Sequence, residues 1–223
     1  MMKGSKNRAE TAKRPMVVRW LLVIAVLWAA IGLVWWMRRP APLDREAGRF
    51  LDAMLSSDGK AMLAYAFPEE VQANDLTPEK LHRLYAELIN PRLNRLENKS
   101  DITTQNRRTN GFAGFDAQTL TGREVGVGTS VYLHDAGAKG SVFENLYIAW
   151  IAEYLGEHSE TMNLQVRNQA VLNGLLQDEA KLKEIGITHL SSYNIDRGDI
   201  KLIPLEEMIS GYRRWVANPD LEH

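Results

Sequence analysis

The chain has 223 residues, of which 25% are charged, with a formal net charge of −1 and no cysteine. The lack of cysteine excludes disulfides, thiolate metal sites and a cysteine nucleophile, so any folded part is held by packing alone. The near-zero total hides an asymmetry: residues 1–39 carry 8 Lys/Arg against 1 acid, hence +7, and residues 40–223 carry 19 against 27, hence −8. An acidic C-terminal part argues against nucleic acid as a partner, because phosphate recognition needs a basic surface.

Residues 1–15, MMKGSKNRAETAKRP, are polar and charged with almost no large apolar side chain, which predicts a disordered basic arm. Residues 16–39 enclose the run Trp20–Met37, WLLVIAVLWAAIGLVWWM, which has no charged or strongly polar side chain. At the helical rise, 18 residues span about 27 Å, close to a bilayer's hydrocarbon core, so the run predicts one transmembrane helix. Trp20, Trp35 and Trp36 fall where indoles favour the interface, and Arg19, Arg38 and Arg39 flank the run. A cleaved signal peptide would need a small-x-small site after the run, and Trp-Trp-Met-Arg-Arg offers none. Six basic residues precede the run against Glu10 alone, which predicts a single-pass signal anchor in the cell (inner) membrane with a cytoplasmic N-terminus. The basic arm then meets anionic lipid heads of the bilayer, and residues 40–223 form an extracytoplasmic domain.

Arg39-Pro-Ala-Pro42 reads as a stiff linker. An amphipathic helix follows from about Leu43 to Ser57, with Leu43, Ala47, Phe50, Leu51, Met54 and Leu55 on one stripe. A short helix spans about Lys60 to Phe67, and a third begins at Thr77-Pro78-Glu79, an N-cap, a first-position proline and a first-turn acid. Asn90-Pro91 is expected to end it. Residues 93–108 suit an edge strand. From Gln118 to His134, Val125, Val127, Thr129, Val131 and Leu133 alternate with smaller or polar residues, a period of two that predicts a strand. Val142 to Leu155 is apolar on both alternating faces, which predicts a central strand, so that 118–155 forms a long antiparallel hairpin. A helix returns from about Thr161 to Ile185 with Gly186 as its C-cap. Loop or short strand spans Ser191 to Ile203, and a last helix runs from about Pro204 to Ala217. The terminal Leu221-Glu222-His223 could begin an expression tag.

Chemistry is sparse. No two histidines share a metal-ligand spacing, so neither a metal nor another cofactor is predicted. Gly122-Arg-Glu-Val-Gly-Val-Gly128 lacks the strand–turn–helix context of a phosphate loop. The acid pairs Glu69/Glu70 and Glu206/Glu207 fall near helix starts, where carboxylates complement the dipole. Ser191-Ser192 lacks the frame of a nucleophile elbow. Asn98-Lys-Ser100 matches a short glycosylation sequon. No catalytic residue is assigned. Glu144, Glu153, His134 and Arg123 are the strand-region groups an enzyme would have to use. Aromatic residues are dense from Phe112 to Tyr154, and the alternatives are core packing or a concave pocket or docking face built on Tyr132, Tyr147, Trp150 and Tyr154.

Helices followed by a long antiparallel hairpin resemble the nuclear transport factor 2-like fold. The segments that carry this are Arg49-Phe-Leu-Asp-Ala-Met-Leu-Ser-Ser-Asp-Gly59, Leu76-Thr-Pro-Glu-Lys-Leu81 and the strands within 118–155. The resemblance implies an α+β domain of helices packed on a curved antiparallel sheet, shaped as a cone; an unrelated α+β domain is the alternative. Membrane-anchored members of that superfamily include assembly subunits of type IV secretion systems. By that likeness the expected function is a non-enzymatic extracytoplasmic domain for protein–protein interaction or envelope assembly, with a protein partner or homo-oligomer. The alternative is a small-molecule or lipid binding module using the cone interior.

Overall fold

The computed structural model describes Leu21, Val23, Ile24, residues 26–28, and residues 42–106, 109–135, 137–158, 160–194 and 199–218. The chain divides into two compact units, Met1–Ala41 and Pro42–His223. In the first unit the described residues are helical and exposed. The expected single-pass transmembrane helix, and the membrane and signal-anchor assignments with it, do not stand: among the described residues no helix is long and apolar enough to cross a membrane, which takes about 20 residues. The basic arm and the rest of the Trp20–Met37 run lie outside the described residues.

The second unit is α+β, as predicted. Five helical segments come first: α1 (Leu43–Leu55), α2 (Gly59–Tyr65), α3 (Pro68–Asn74), α4 (Pro78–Arg83) and, after the π-helical turn Leu84–Ile89, α5 (Asn90–Leu93). The apolar stripe of α1 is buried through Ala47, Phe50, Leu51 and Met54, as its periodicity requires. Thr77 caps α4, its side chain accepting from the Lys80 amide at 3.3 Å. Asn90-Pro91 does not end this helix. The Pro91 ring would clash with the carbonyl four residues back in an α-helix, and the wider π turn before it relieves that clash while helix continues to Leu93. Asn90 then donates to the Met54 and Leu55 carbonyls at 3.0 and 3.1 Å, closing the exposed end of α1.

A four-stranded antiparallel sheet follows in the order β1 (Thr103–Asn106), β2 (Asn110–Gln118), β3 (Glu124–His134) and β4 (Gly137–Lys139), with α1 packed on it. The period-two segment is β3, and β1 is the polar edge strand. The expected partner of β3 is wrong: it pairs with β2 upstream, Phe115 opposite Val127. Residues from Glu144 to Glu157 are a helix, α6, not a central strand. A run apolar on both alternating faces is also what a helix buried on two sides produces, and the length of 14 residues favours helix. Asn145, Leu146, Ala149, Trp150, Ala152 and Leu155 enter the core. Glu144, Tyr147, Ile148 and Ile151, at spacings of three and four, face a cavity instead.

Helix α7 (Leu164–Ile185) ends at Gly186 with φ of 87°, the left-handed cap predicted for it. The hairpin β5 (His189–Asn194) and β6 (Asp199–Pro204) forms a second sheet, and α8 (Leu205–Ala217) closes the fold. The α6–α7 crossing is tight, since a Cβ built on Gly174 would lie 2.1 Å from Trp150 Cγ. Gly174→Ala is therefore expected to destabilise by about 1–3 kcal/mol despite alanine's better helix propensity. Gly211→Ala in α8, where nothing lies within 4 Å, should gain up to about 1 kcal/mol. Equal urea midpoints for the two variants would contradict the close crossing.

Candidate functional site

A cavity of about 620 Å³ lies among β3, α6, α7, the β5–β6 hairpin and α8. That is within the range of roughly 300–1,000 Å³ typical of small-molecule sites. Its apolar wall comes from Tyr147, Ile148 and Ile151 on α6, Ile203 on β6, and Met208 and Trp215 on α8. Trp215 is the exposed member of this wall, at 40%. Tyr212 packs edge-to-face on it at 5.0 Å between centroids.

The polar end is built from residues distant in sequence. Glu70, in the first turn of α3, is fully buried. Its carboxyl accepts from Ser141 Oγ at 2.7 Å, from the Val142 amide at 3.2 Å and, by a very short bond, from Ser191 Oγ. Burial pushes its pKa up to about 7, against the pull of those hydrogen bonds. Asn74, one turn later on α3, holds the start of β5 in place, accepting from the Thr188 and His189 amides at 2.8 and 2.9 Å. That clamp sets Ser191 against Glu70. Ser141 and Ser191 both line the cavity and lie 2.8 Å apart, so Glu70 sits one hydroxyl behind its wall.

Glu144 is half-buried and lines the cavity directly. Its Oε2 accepts from Thr129 Oγ1 and from the Ser130 amide, both at 3.1 Å. Burial likewise raises its pKa to about 7. The Tyr147 hydroxyl donates to the Ser191 carbonyl at 3.2 Å, and burial raises its pKa far above the usual tyrosine value. The rim has the opposite charge: Arg167 from α7, Lys201 from β6 and Arg214 from α8 stand around it, with Glu207 as the one acid beside them.

Of the aromatic residues singled out in the sequence, Tyr132 and Tyr147 line this cavity. Trp150 does not; it is 1% exposed in the core, its Nε1 donating to Asp178 Oδ2 at 2.7 Å. Tyr154 lies elsewhere on α6, stacked on His158 and donating to Glu160. Of the four groups an enzyme would use, only Glu144 reaches the cavity. Glu153 pairs with Arg92, and His134 packs edge-on to Phe67. Besides Glu144 the cavity is lined by Glu207 at its rim, with Glu70 walled off behind; among the described residues no histidine lines it and no cluster is fit to hold a metal. Sequence reasoning missed Glu70, Ser141, Ser191 and the rim cations. Helical spacing of 144, 147, 148 and 151 was the one signal that could have found part of the wall. No family model matches this chain, and no curated protein or solved structure matches it either.

Proposed function

We propose that residues 42–218 form a small-molecule binding domain, with the cavity between α6 and α8 as its site. The observation that carries this reading is a pocket of ligand size lined on α6 by Tyr147, Ile148 and Ile151, which touch the core yet stay only partly buried. The apolar surface these side chains still expose to the cavity is stabilised when an apolar guest displaces the water there. The polar end orients the guest through Ser130, Ser141 and Glu144, while the walls contribute contact area. A protein-docking role has less behind it: of the exposed large apolar residues away from the cavity in this unit, Ile102 and Leu120 lie in loops, Leu133 on β3, Met162 just before α7, and Leu164 and Leu176 on it.

The test uses the full chain and the neutral dye Nile red. Its fluorescence should rise to saturation at one equivalent and fail to do so in Gly211→Leu, whose added side chain projects from a lining position into open space. Identical titrations for the two proteins would sink the cavity as the binding site.

A further inference from the structure

The rim charges set the ligand's chemistry, an inference that rests on the cavity being the binding site. Seven of the other described basic side chains are already committed. Arg49, Lys80, Arg83, Arg92, Arg95, Lys181 and Lys183 each form an ion pair. Arg167, Lys201 and Arg214 form none among the described residues, although the sequence from residue 40 onward carries an excess of 8 acids. Three elements, α7 and the consecutive β6 and α8, each bring one unspent cation to the same opening. Among the described residues, Glu207 is the exposed acid that lines the cavity with them.

Below the rim the walls are aliphatic and aromatic, and the depth is acidic. Glu144 Oε2 is taken by Thr129 and Ser130, while its Oε1 accepts no hydrogen bond among the described residues. A ligand anion placed inward would meet that carboxyl, with Glu70 behind it. Placed outward, it meets two guanidinium forks and an ammonium, which form charge-assisted hydrogen bonds to carboxylate or phosphate oxygens. The apolar part then points inward along Ile148, Ile151 and Met208. A cationic head at the same place would face three like charges. We propose that the cavity takes a single-chain anionic amphiphile, its apolar body inside and its carboxylate or phosphate head on Arg167, Lys201 and Arg214.

Laurate and dodecyltrimethylammonium share a chain length and differ in head charge. Both are titrated into the full chain below their micelle-forming concentrations, with isothermal calorimetry as the readout. Laurate should bind at least about tenfold more tightly. Arg167→Gln/Lys201→Gln/Arg214→Gln, all exposed positions, should weaken laurate by on the order of tenfold or more and leave the cation unchanged or improved. Added salt should erode the same preference. Equal affinities for the two probes, both abolished in Gly211→Leu, would overturn the anionic head while leaving the cavity as a binding site. Laurate binding that is indifferent to Gly211→Leu would overturn both.

Discussion

Arg92→Met is expected to destabilise the protein by on the order of 3–5 kcal/mol, the usual cost of isolating one member of a buried ion pair. Arg92 Nη1 and Nη2 hold the two oxygens of Asp178 at 2.9 and 3.0 Å, and Nε meets Glu153 at 2.5 Å. Asp178 is only 4% exposed. Its Oδ2 also accepts from Trp150, so one carboxylate joins α5, α6 and α7. Methionine keeps the apolar stem but leaves that carboxylate without its cation. Its desolvation is then uncompensated, and the remaining indole donor cannot make up the difference. The double variant Arg92→Met/Asp178→Leu removes both charges and should be less destabilised than Arg92→Met alone. Urea unfolding of the single and double variants measures the coupling. A single-variant loss within about 0.5 kcal/mol of zero, the range of ordinary surface changes, would show that the triad is not structural.

Local signals served the helices well and the chain's middle poorly. Thr77, Pro78 and Gly186 act through the backbone within a few residues, so their effects follow from neighbours in sequence. The stripe of α1 is also local, because one sheet face covers it. Helix α6 defeated the same reasoning because it is covered on one side by the core and borders a cavity on the other. Its alternating faces then both read as buried, and only the element's length separated helix from strand. The mistaken strand cost β3 its true partner, β2, whose Gly111 and Gly114 weaken any strand pattern. Gly111 is needed there: a Cβ would stand 2.0 Å from the Leu43 carbonyl oxygen.

The site was less legible still. Tyr132 and Tyr147 could be picked out because aromatic side chains are few and clustered. Trp150 and Tyr154 came from the same clustering, yet one is core and the other lies away from the cavity. Glu70 reads as a helix-start acid, and it does lie in the first turn of α3. Nothing in its neighbourhood says that Ser141 and Ser191, 71 and 121 residues away, will close over it. The rim cations are ordinary surface residues until the fold assembles them. Charge counting over residues 40–223 gave only the acidic average, against which the basic rim stands out.

Stability should fall as pH rises from about 4.5 to about 7, opposite to the usual behaviour of paired carboxylates. Glu70 is displaced upward from 4.5 to about 7 by burial, and Glu144 by a similar amount. Between those values the folded state binds more protons than the unfolded one, so each rise in pH favours unfolding. The contribution is fully present below the unfolded pKa and is lost as pH rises through the folded value near 7. At about 1.4 kcal/mol per unit, Glu70 can account for about 3 kcal/mol. Glu144 contributes less, because it borders a cavity open to water. Glu70→Gln keeps an acceptor for the Val142 amide and an amide group for the serine hydroxyls. It should therefore flatten most of the slope, gaining on wild type at the alkaline end. Glu70→Ala instead strands Ser141, Ser191 and the Val142 amide and should lose stability at every pH. Urea midpoints across this window decide the matter: a wild-type stability that climbs with pH, or a slope unchanged in Glu70→Gln, would mean that the buried carboxyl is held ionised by its three donors. In that case its hydrogen bonds outweigh its burial, and the polar end of the cavity is a fixed negative charge.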